Sequence, residues 1–284
     1  MTSRPFTTFD QKWQLICMLC TQLPTMENGL AKAFDLPPSP TPAAANPYQC
    51  GAATPPGKQG VELTYTIQPN ATWGDGTPIT TDDVLFTYEV GKNAETGVAD
   101  MEMFREIVGI EAKDDKTFTV TKDKLKFTYN LMNDFRLIPA HIDGANFDPK
   151  QAAEYKKKTA FDTASTNPGL FFGPYKISEI VTSSHVSFEP NPTWFGEAPK
   201  FKRVTFKVIE NTAAMEANLL SGSVDYIMGE LGVTIDQAIA FQKRQADKYN
   251  YDFKPGLVYE HIDLKDRKST RLNSSHMSES RMPS

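Results

Sequence analysis

Few side chains in this sequence have types and spacings that could do chemistry. Its 284 residues hold four histidines and three cysteines. His141, His185 and His261 are far apart, and His276 lies in a terminal stretch without apolar periodicity. A serine–histidine–aspartate set is recognised by geometry, so these positions alone select none. Motifs that carry a mechanism locally are absent: no G-x-S-x-G elbow, H-E-x-x-H helix, P-loop, or G-x-G-x-x-G opening a helix. Cys17 and Cys20 form a single C-x-x-C. Redox or zinc use calls for a following helix or a second ligand pair, and the sequence offers neither. Two buried, apolar cysteines are expected, with a disulfide from one of them to Cys50 as the alternative in an exported protein. No catalytic residue, metal ligand or cofactor is expected.

Composition places the chain among ordinary globular proteins, at 39% hydrophobic and 23% charged. The longest apolar run, residues 15–20, is far too short to span a bilayer. The first twelve residues lack the basic region and apolar core of a secretory leader. Residues 266–284, DRKSTRLNSSHMSESRMPS, read as an in-frame translation of sequencing-adapter DNA rather than selected protein. They hold 4 of the 30 basic and 2 of the 35 acidic residues, leaving 26 against 33, a net charge of −7. An acidic chain of this kind does not favour nucleic acid as partner.

The elements are organised around residues 65–90, YTIQPNATWGDGTPITTDDVLFTYEV. The β-branched and aromatic run 63–67 predicts a strand, ended by Pro69-Asn70. Trp73 then enters a tight corner, Gly74-Asp75-Gly76-Thr77-Pro78, whose glycines admit backbone conformations that other residues resist. Thr80 and Asp83 predict a capping box, with both Asp82 and Asp83 at the positive end of the helix dipole. Val84, Leu85 and Tyr88 give that helix an apolar face. Before it, residues 5–22 carry Phe6, Phe9, Trp13, Leu15, Ile16 and Leu19 and are expected in a core; residues 36–60, rich in Pro, Ala and Gly, read as a surface excursion. After it come a short helix within 101–108, a hairpin around residues 113–116, and a charged helix within 148–159. A second hairpin spans 177–188, with a strand at 204–209. A helix capped by Asn211 or Thr212 ends at Gly222; a strand at 223–227, a helix at 234–247 and a strand from 257 follow.

The strand followed by W-x-D-G-x-P-x-T-x-x-D-V closely resembles the signature of family 5 extracellular solute-binding proteins, the peptide, dipeptide and nickel receptors of ABC importers. Later segments match the same family in order. The stretch 109–118 resembles G-I-x-A-x-D-x-x-T-V, with Phe118 in the last place, and Leu137-Ile138-Pro139-Ala140-His141-Ile142 resembles I-x-P-x-H-I; a structural role is expected for His141. Gly173-Pro174-Tyr175-Lys176 resembles the end of G-T-G-P-Y-K, with Phe171-Phe172 where the family usually has Gly-Thr, making a bulkier loop. Asn191 to Gly196 resembles N-P-x-Y-W-G, and Gly222 to Asp225 resembles G-x-V-D. The earlier Leu30 to Phe34 resembles L-A-x-x-W. The resemblance covers roughly residues 60–264.

It implies an α/β fold, a periplasmic-binding-protein-like type II lobe with a mixed β-sheet, the second lobe largely missing. Residues 1–256 would be the first lobe, incomplete at both ends; 257–265 would begin the crossover to the second lobe, and 266–284 would be the adapter-derived tail. The implied function is capture of peptides or a similar small solute between two lobes, and delivery to a membrane permease. A nickel-chelate or opine-type solute is the alternative ligand, and a hydrolase on a related scaffold the alternative class. A monomer outside the cytoplasm is expected. Arg136 stands near where an arginine of nickel-binding relatives meets ligand carboxylates, and a guanidinium suits a carboxylate bidentately. Met103, Phe104 and Phe135, and with them Phe171 and Phe172, lie in segments that line the cleft in relatives.

Overall fold

The computed structural model describes residues 1–10, 12–36, 59–98, 101–227 and 232–253. Cys50, His261, His276, residues 37–58 of the excursion expected at 36–60, the strand expected from residue 257 and the whole of 266–284 lie outside them. The chain divides into two compact units, Met1–Ile209 and Glu210–Ser284.

Among its described residues the first unit carries three sheets, and every pairing in them is antiparallel. Strands β1 (Thr7–Phe9) and β2 (Leu15–Cys17) form a two-stranded ribbon. Next come β3 (Ala31–Asp35), β4 (Gln59–Thr66), β5 (Ile107–Ala112) and β6 (Thr117–Lys122), a four-stranded sheet in the order β3-β4-β6-β5. β7 (Tyr175–Val181), β8 (His185–Pro190) and β9 (Val204–Lys207) form a three-stranded sheet in sequence order. The strand of the signature, β4, and the strand near residue 204, β9, lie in different sheets. The reason is local: β4 already has a hydrogen-bonded neighbour on each side, β3 and β6, whereas β9 closes onto β8.

Alternation decides what β4 buries. Val61, Leu63 and Tyr65 point inward and are fully buried, while Glu62, Thr64 and Thr66 on the other face are only partly so. Helix α1 (Thr81–Gly91) follows and contributes Val84 and Val90 to the interior. The capping box is present: Thr80 N–H donates to Asp83 Oδ2 at 2.9 Å, and Thr80 Oγ1 accepts from the first turn. Gly76 has φ +91°, the left-handed turn position that a side chain would strain. The short helix α2 (Met101–Glu106) runs directly into β5. Past β6 the helices are brief: α3 (Ala140–Asp143), α4 (Ala152–Lys158) and α5 (Ala160–Thr163). Asp143 gathers them, accepting from Tyr155 Oη at 2.8 Å, Thr159 Oγ1 at 2.6 Å and Ala160 N–H at 2.7 Å.

The main core joins Phe6, Leu19, Leu63, Tyr65, Trp73, Val84, Phe118, Phe135 and Phe172. Not all of the early apolar stretch enters it. Phe6 and Leu19 are buried, but Phe9, Ile16 and Trp13 are exposed on the β1–β2 ribbon, Trp13 at 73%. Cys17 and Cys20 are bonded to each other rather than one of them to Cys50 or both staying free. The chain turns at the end of β2 so that Cys20 bridges to Ile67, which brings the two Cα atoms to 5.3 Å, within disulfide reach.

In the second unit, α6 (Thr212–Leu220) is capped by Asn211, whose Oδ1 accepts from Ala214 N–H at 2.9 Å, and Gly222 follows it with φ +76°. α7 (Ile235–Gln245) has a capping box from Thr234 and Gln237. The strand expected at 223–227 does not form. Val224 N–H instead turns back to Asn218 O at 3.2 Å, so the backbone is spent on closing α6.

Candidate functional site

The corner after β4 is held by two carboxylates. Asp83 is buried and takes three donors: Thr80 N–H, Trp73 Nε1–H at 3.2 Å, and Ala140 N–H at 2.9 Å. Burial pushes its carboxyl above the usual range, against the pull of those donors and of His141. Asp75 sits at the tip of the corner. Its Oδ2 is 2.9 Å from His141 Nε2, and its Oδ1 accepts from Thr77 N–H at 2.9 Å. Burial raises the Asp75 carboxyl, but Thr77 and His141 outweigh it and the net shift is downward. His141 thus ties the corner to α3 and faces a carboxylate, not a nucleophile. His185 lies on the β7–β8 hairpin, 3.3 Å from Glu179 Oε2, an oxygen it shares with Arg203 at 3.0 Å. Among the described residues, no group of three or more His, Cys, Asp or Glu side chains is placed to hold a metal ion.

The second part of the site is the irregular stretch 129–138. It has no repeating hydrogen bonds of its own, so other elements hold it from outside. Lys122 Nζ donates to Tyr129 O at 2.9 Å and Leu131 O at 3.3 Å, and Tyr65 Oη donates to Asn130 O at 3.0 Å. Asn130 Nδ2 reaches Pro24 O at 2.9 Å; Thr7 Oγ1 accepts from Met132 N–H at 2.8 Å, and Thr87 Oγ1 from Ile138 N–H at 2.9 Å. Burial depresses the Lys122 amine to about 8. At the end of this stretch Phe135 and Leu137 are buried while Arg136 between them is exposed, the alternation of an extended chain.

The third part is the loop before β7. Phe171 O accepts from Gly74 N–H at 2.7 Å, and the Phe172 ring meets Trp73 edge-on at 4.9 Å between centroids. Phe172 N–H and Gly173 N–H both donate to Thr2 O, at 3.1 and 2.9 Å. The start of the chain therefore lies against this loop. It comes so close to Gly173 that an added Cβ would stand 2.3 Å from Met1 O. From there it passes to the second part, where Phe6 packs 6.1 Å from Phe135.

The residues singled out from sequence are thus gathered, but not as a bare aromatic surface. Phe104, Phe135 and Phe172 are core residues, Met103 packs partly buried against them, and Phe171 sits in an adjoining small cluster with Ala160 and Leu170. The Phe171-Phe172 pair carries its bulk inward, both rings being buried. Phe172 turns inward because Trp73 offers its ring edge-to-face packing, and Phe171 because Leu170 and Ala160 cover it. Only Arg136 of the six stands exposed. Sequence reading missed Arg4, whose guanidinium lies over the Trp194 ring at 5.5 Å from its centroid. No local pattern marks it, since the two residues are brought together by the fold alone.

The family model for bacterial extracellular solute-binding proteins, family 5, matches residues 53–274. A probable D,D-dipeptide-binding periplasmic protein of Escherichia coli is 29% identical over 210 residues, covering 73% of this chain and 38% of its own. A putative ABC transporter peptide-binding protein of Brucella ovis is 29% identical over 167 residues, covering 58% of this chain and 30% of its own. Among solved structures, an oligopeptide-binding protein of Thermus thermophilus, complexed with a pentapeptide, superposes with TM-score 0.65 at 25% identity, over 84% of this chain and 40% of that one. A Campylobacter jejuni protein in complex with nickel and L-histidine shares the fold, with TM-score 0.57 at 19% identity over 79% of this chain and 37% of that one. The chain spans well under half the length of these relatives. The signature corner, its capping box and this match over most of the sequence agree: the chain belongs to the bacterial extracellular solute-binding proteins of family 5.

Proposed function

We propose that this chain is part of the substrate-binding component of an ABC importer and contributes one wall of a peptide-binding cleft. The observation that carries the reading is the family match over residues 53–274, joined to relatives whose names specify dipeptides and peptides. Such a receptor works without covalent chemistry. A ligand that touches two lobes stabilises the closed form over the open one, and the closed form docks on a membrane permease. The exposed Arg136 supplies a fixed cation for a ligand carboxylate. Phe135, Phe104, Met103, Phe171 and Phe172 act from behind, by holding the backbone that presents it. Work outside the cytoplasm, as a monomer, follows from the same role; among the described residues no helix is long and apolar enough to cross a membrane. Residues 1–256 then form the first lobe, with the crossover to a second lobe beginning at 257. No enzymatic step is assigned.

The test is calorimetry on the full-length gene product with di- to pentapeptides and with nickel–histidine chelate. Saturable heat with peptides supports the reading. Heat with the chelate alone moves the protein to the nickel receptors, and heat with neither removes it from both.

A further inference from the structure

Cys17 and Cys20 are bonded to each other across a sequence separation of 3. A disulfide stabilises a fold chiefly by closing a loop in the unfolded chain, and the gain falls as the loop shortens. Here the loop is very short, and other bonds fasten the same segment. Met18 N–H donates to Phe6 O at 2.9 Å, Thr21 N–H to Thr66 O at 2.8 Å, and Gln68 N–H to Leu19 O at 2.8 Å. Gln68 Nε2 adds a bond to Cys20 O at 2.8 Å. Phe6 and Leu19 are fully buried in the main core. The ribbon and its junction with β4 are thus anchored independently of the sulfur bridge.

The two cysteines differ in their surroundings. Cys17 is half-buried at the end of β2, whereas Cys20 is completely buried. A thiol arriving from solvent meets Cys17 first, and access helps decide which sulfur is attacked. Cys20 Sγ lies 3.1 Å from Phe6 O. A disulfide sulfur has no hydrogen to give that carbonyl; a thiol does. The oxygen has a second lone pair beside the one taken by Met18 N–H, so the buried site already accommodates reduced Cys20. Among the described residues no helix begins at either cysteine, so the pair lacks the helix N-terminus that turns a C-x-x-C into an attacking thiolate. It is arranged to be attacked.

We propose that Cys17–Cys20 is a reversible redox site of the folded protein, entered at Cys17 by an external dithiol. One thiolate of the dithiol attacks Cys17 Sγ, and the Cys17–Cys20 bond breaks. The Cys20 sulfur leaves with the bonding pair, takes up a proton and donates it in a hydrogen bond to Phe6 O. The dithiol's other thiol then attacks its own sulfur in the mixed disulfide and releases Cys17, which is protonated in turn. The pair gains two electrons and two protons, and the dithiol is oxidised to its disulfide. The surrounding backbone bonds persist, so a disulfide oxidant reverses the cycle. The site stands apart from the proposed capture of ligand and does not rest on it.

The experiment uses the 284-residue chain. Peptide mapping without reductant locates the bonds first; a link from Cys50 to either cysteine overturns the proposal. The chain is then incubated under native conditions with rising dithiothreitol, and free thiols are trapped with iodoacetamide at timed intervals and assigned by mass spectrometry. The expected rate of reduction is proportional to dithiothreitol throughout, as direct attack on the folded chain requires. A rate that levels off at the measured rate of unfolding sinks the idea, because the bond then opens only when the chain does. After reduction, Cys17 should be alkylated about tenfold faster than Cys20. Equal rates, or faster labelling of Cys20, remove Cys17 as the point of entry. The reduced chain should keep a cooperative melting transition, its midpoint lowered by less than about 10 °C. Loss of that transition makes the bond a structural staple and overturns the redox site. Oxidised glutathione should restore the Cys17–Cys20 link in the reduced chain, and failure to do so rejects reversibility.

Discussion

The indole N–H of Trp73 and the buried carboxylate of Asp83, 3.2 Å apart, lock the tight corner to the helix that follows it. The same carboxylate caps that helix at Thr80 N–H and reaches across to Ala140 N–H. One side chain therefore joins the corner, the start of α1 and the start of α3. Removing it should leave three donors short of an acceptor. Asp83→Ala is expected to destabilise the protein by about 3 kcal/mol, with Trp73→Phe costing about 1 kcal/mol. Denaturant unfolding of the two variants checks this; a loss below 1 kcal/mol for Asp83→Ala would show that water replaces the carboxylate readily.

Lys122 gives a pH dependence of a defined sign. Burial, with the positive charge of Lys126 helping and Glu106 opposing, lowers its amine from an ordinary value near 10.5 to about 8. Between those values the unfolded chain binds more protons than the folded one, so stability rises with pH. The stability this group contributes is fully present above its unfolded value and is lost as pH falls through about 8. The size is at most about 3.5 kcal/mol, from roughly 1.4 kcal/mol per unit. Lys122→Met should flatten the slope between pH 8 and 10.5, measured by urea unfolding across that range. At neutral pH it should change stability by no more than about 2 kcal/mol, since two carbonyls lose a donor as a buried charge disappears.

Arg136 has an exposed side chain. In the full-length gene product Arg136→Ala should weaken binding of a carboxylate-bearing ligand by about 1.5–3 kcal/mol and leave the melting temperature nearly unchanged. Calorimetry with unchanged affinity would reject its role.

Residues 266–284 lack an apolar face, yet the family match runs to residue 274. Chains ending at 265 and at 274 are expected to melt at the same temperature as the whole chain. A drop confined to the shorter one would show that 266–274 belong to the protein and that the adapter reading starts too early.

What the sequence determined by itself was local. Thr80, Asp83 and Gly76 act within a few residues of one another, so their types and spacing predict the corner and its capping box, and the strict order of such landmarks marks the family. The hairpin of β5 and β6 was legible for the same reason, as was the Asn211 cap of α6. What only the tertiary structure decided were contacts between distant residues. Nothing near Asp83 announces Ala140, nothing near Phe172 announces Trp73, and the pairing of β9 with β8 rather than with the sheet of β4 depends on which edges were already taken. The same holds for the aromatics chosen as cleft residues. A phenylalanine has the composition of either a ligand wall or a core, and which it becomes is set by what packs against it. Phe6 and Trp73 arrive from far along the chain and cover Phe135 and Phe172, while Ala160 and the neighbouring Leu170 cover Phe171. Arg4 is the converse case, a position near the start of the sequence with no local signal, whose guanidinium finds its packing partner only because the fold brings Trp194, 190 residues later, beneath it.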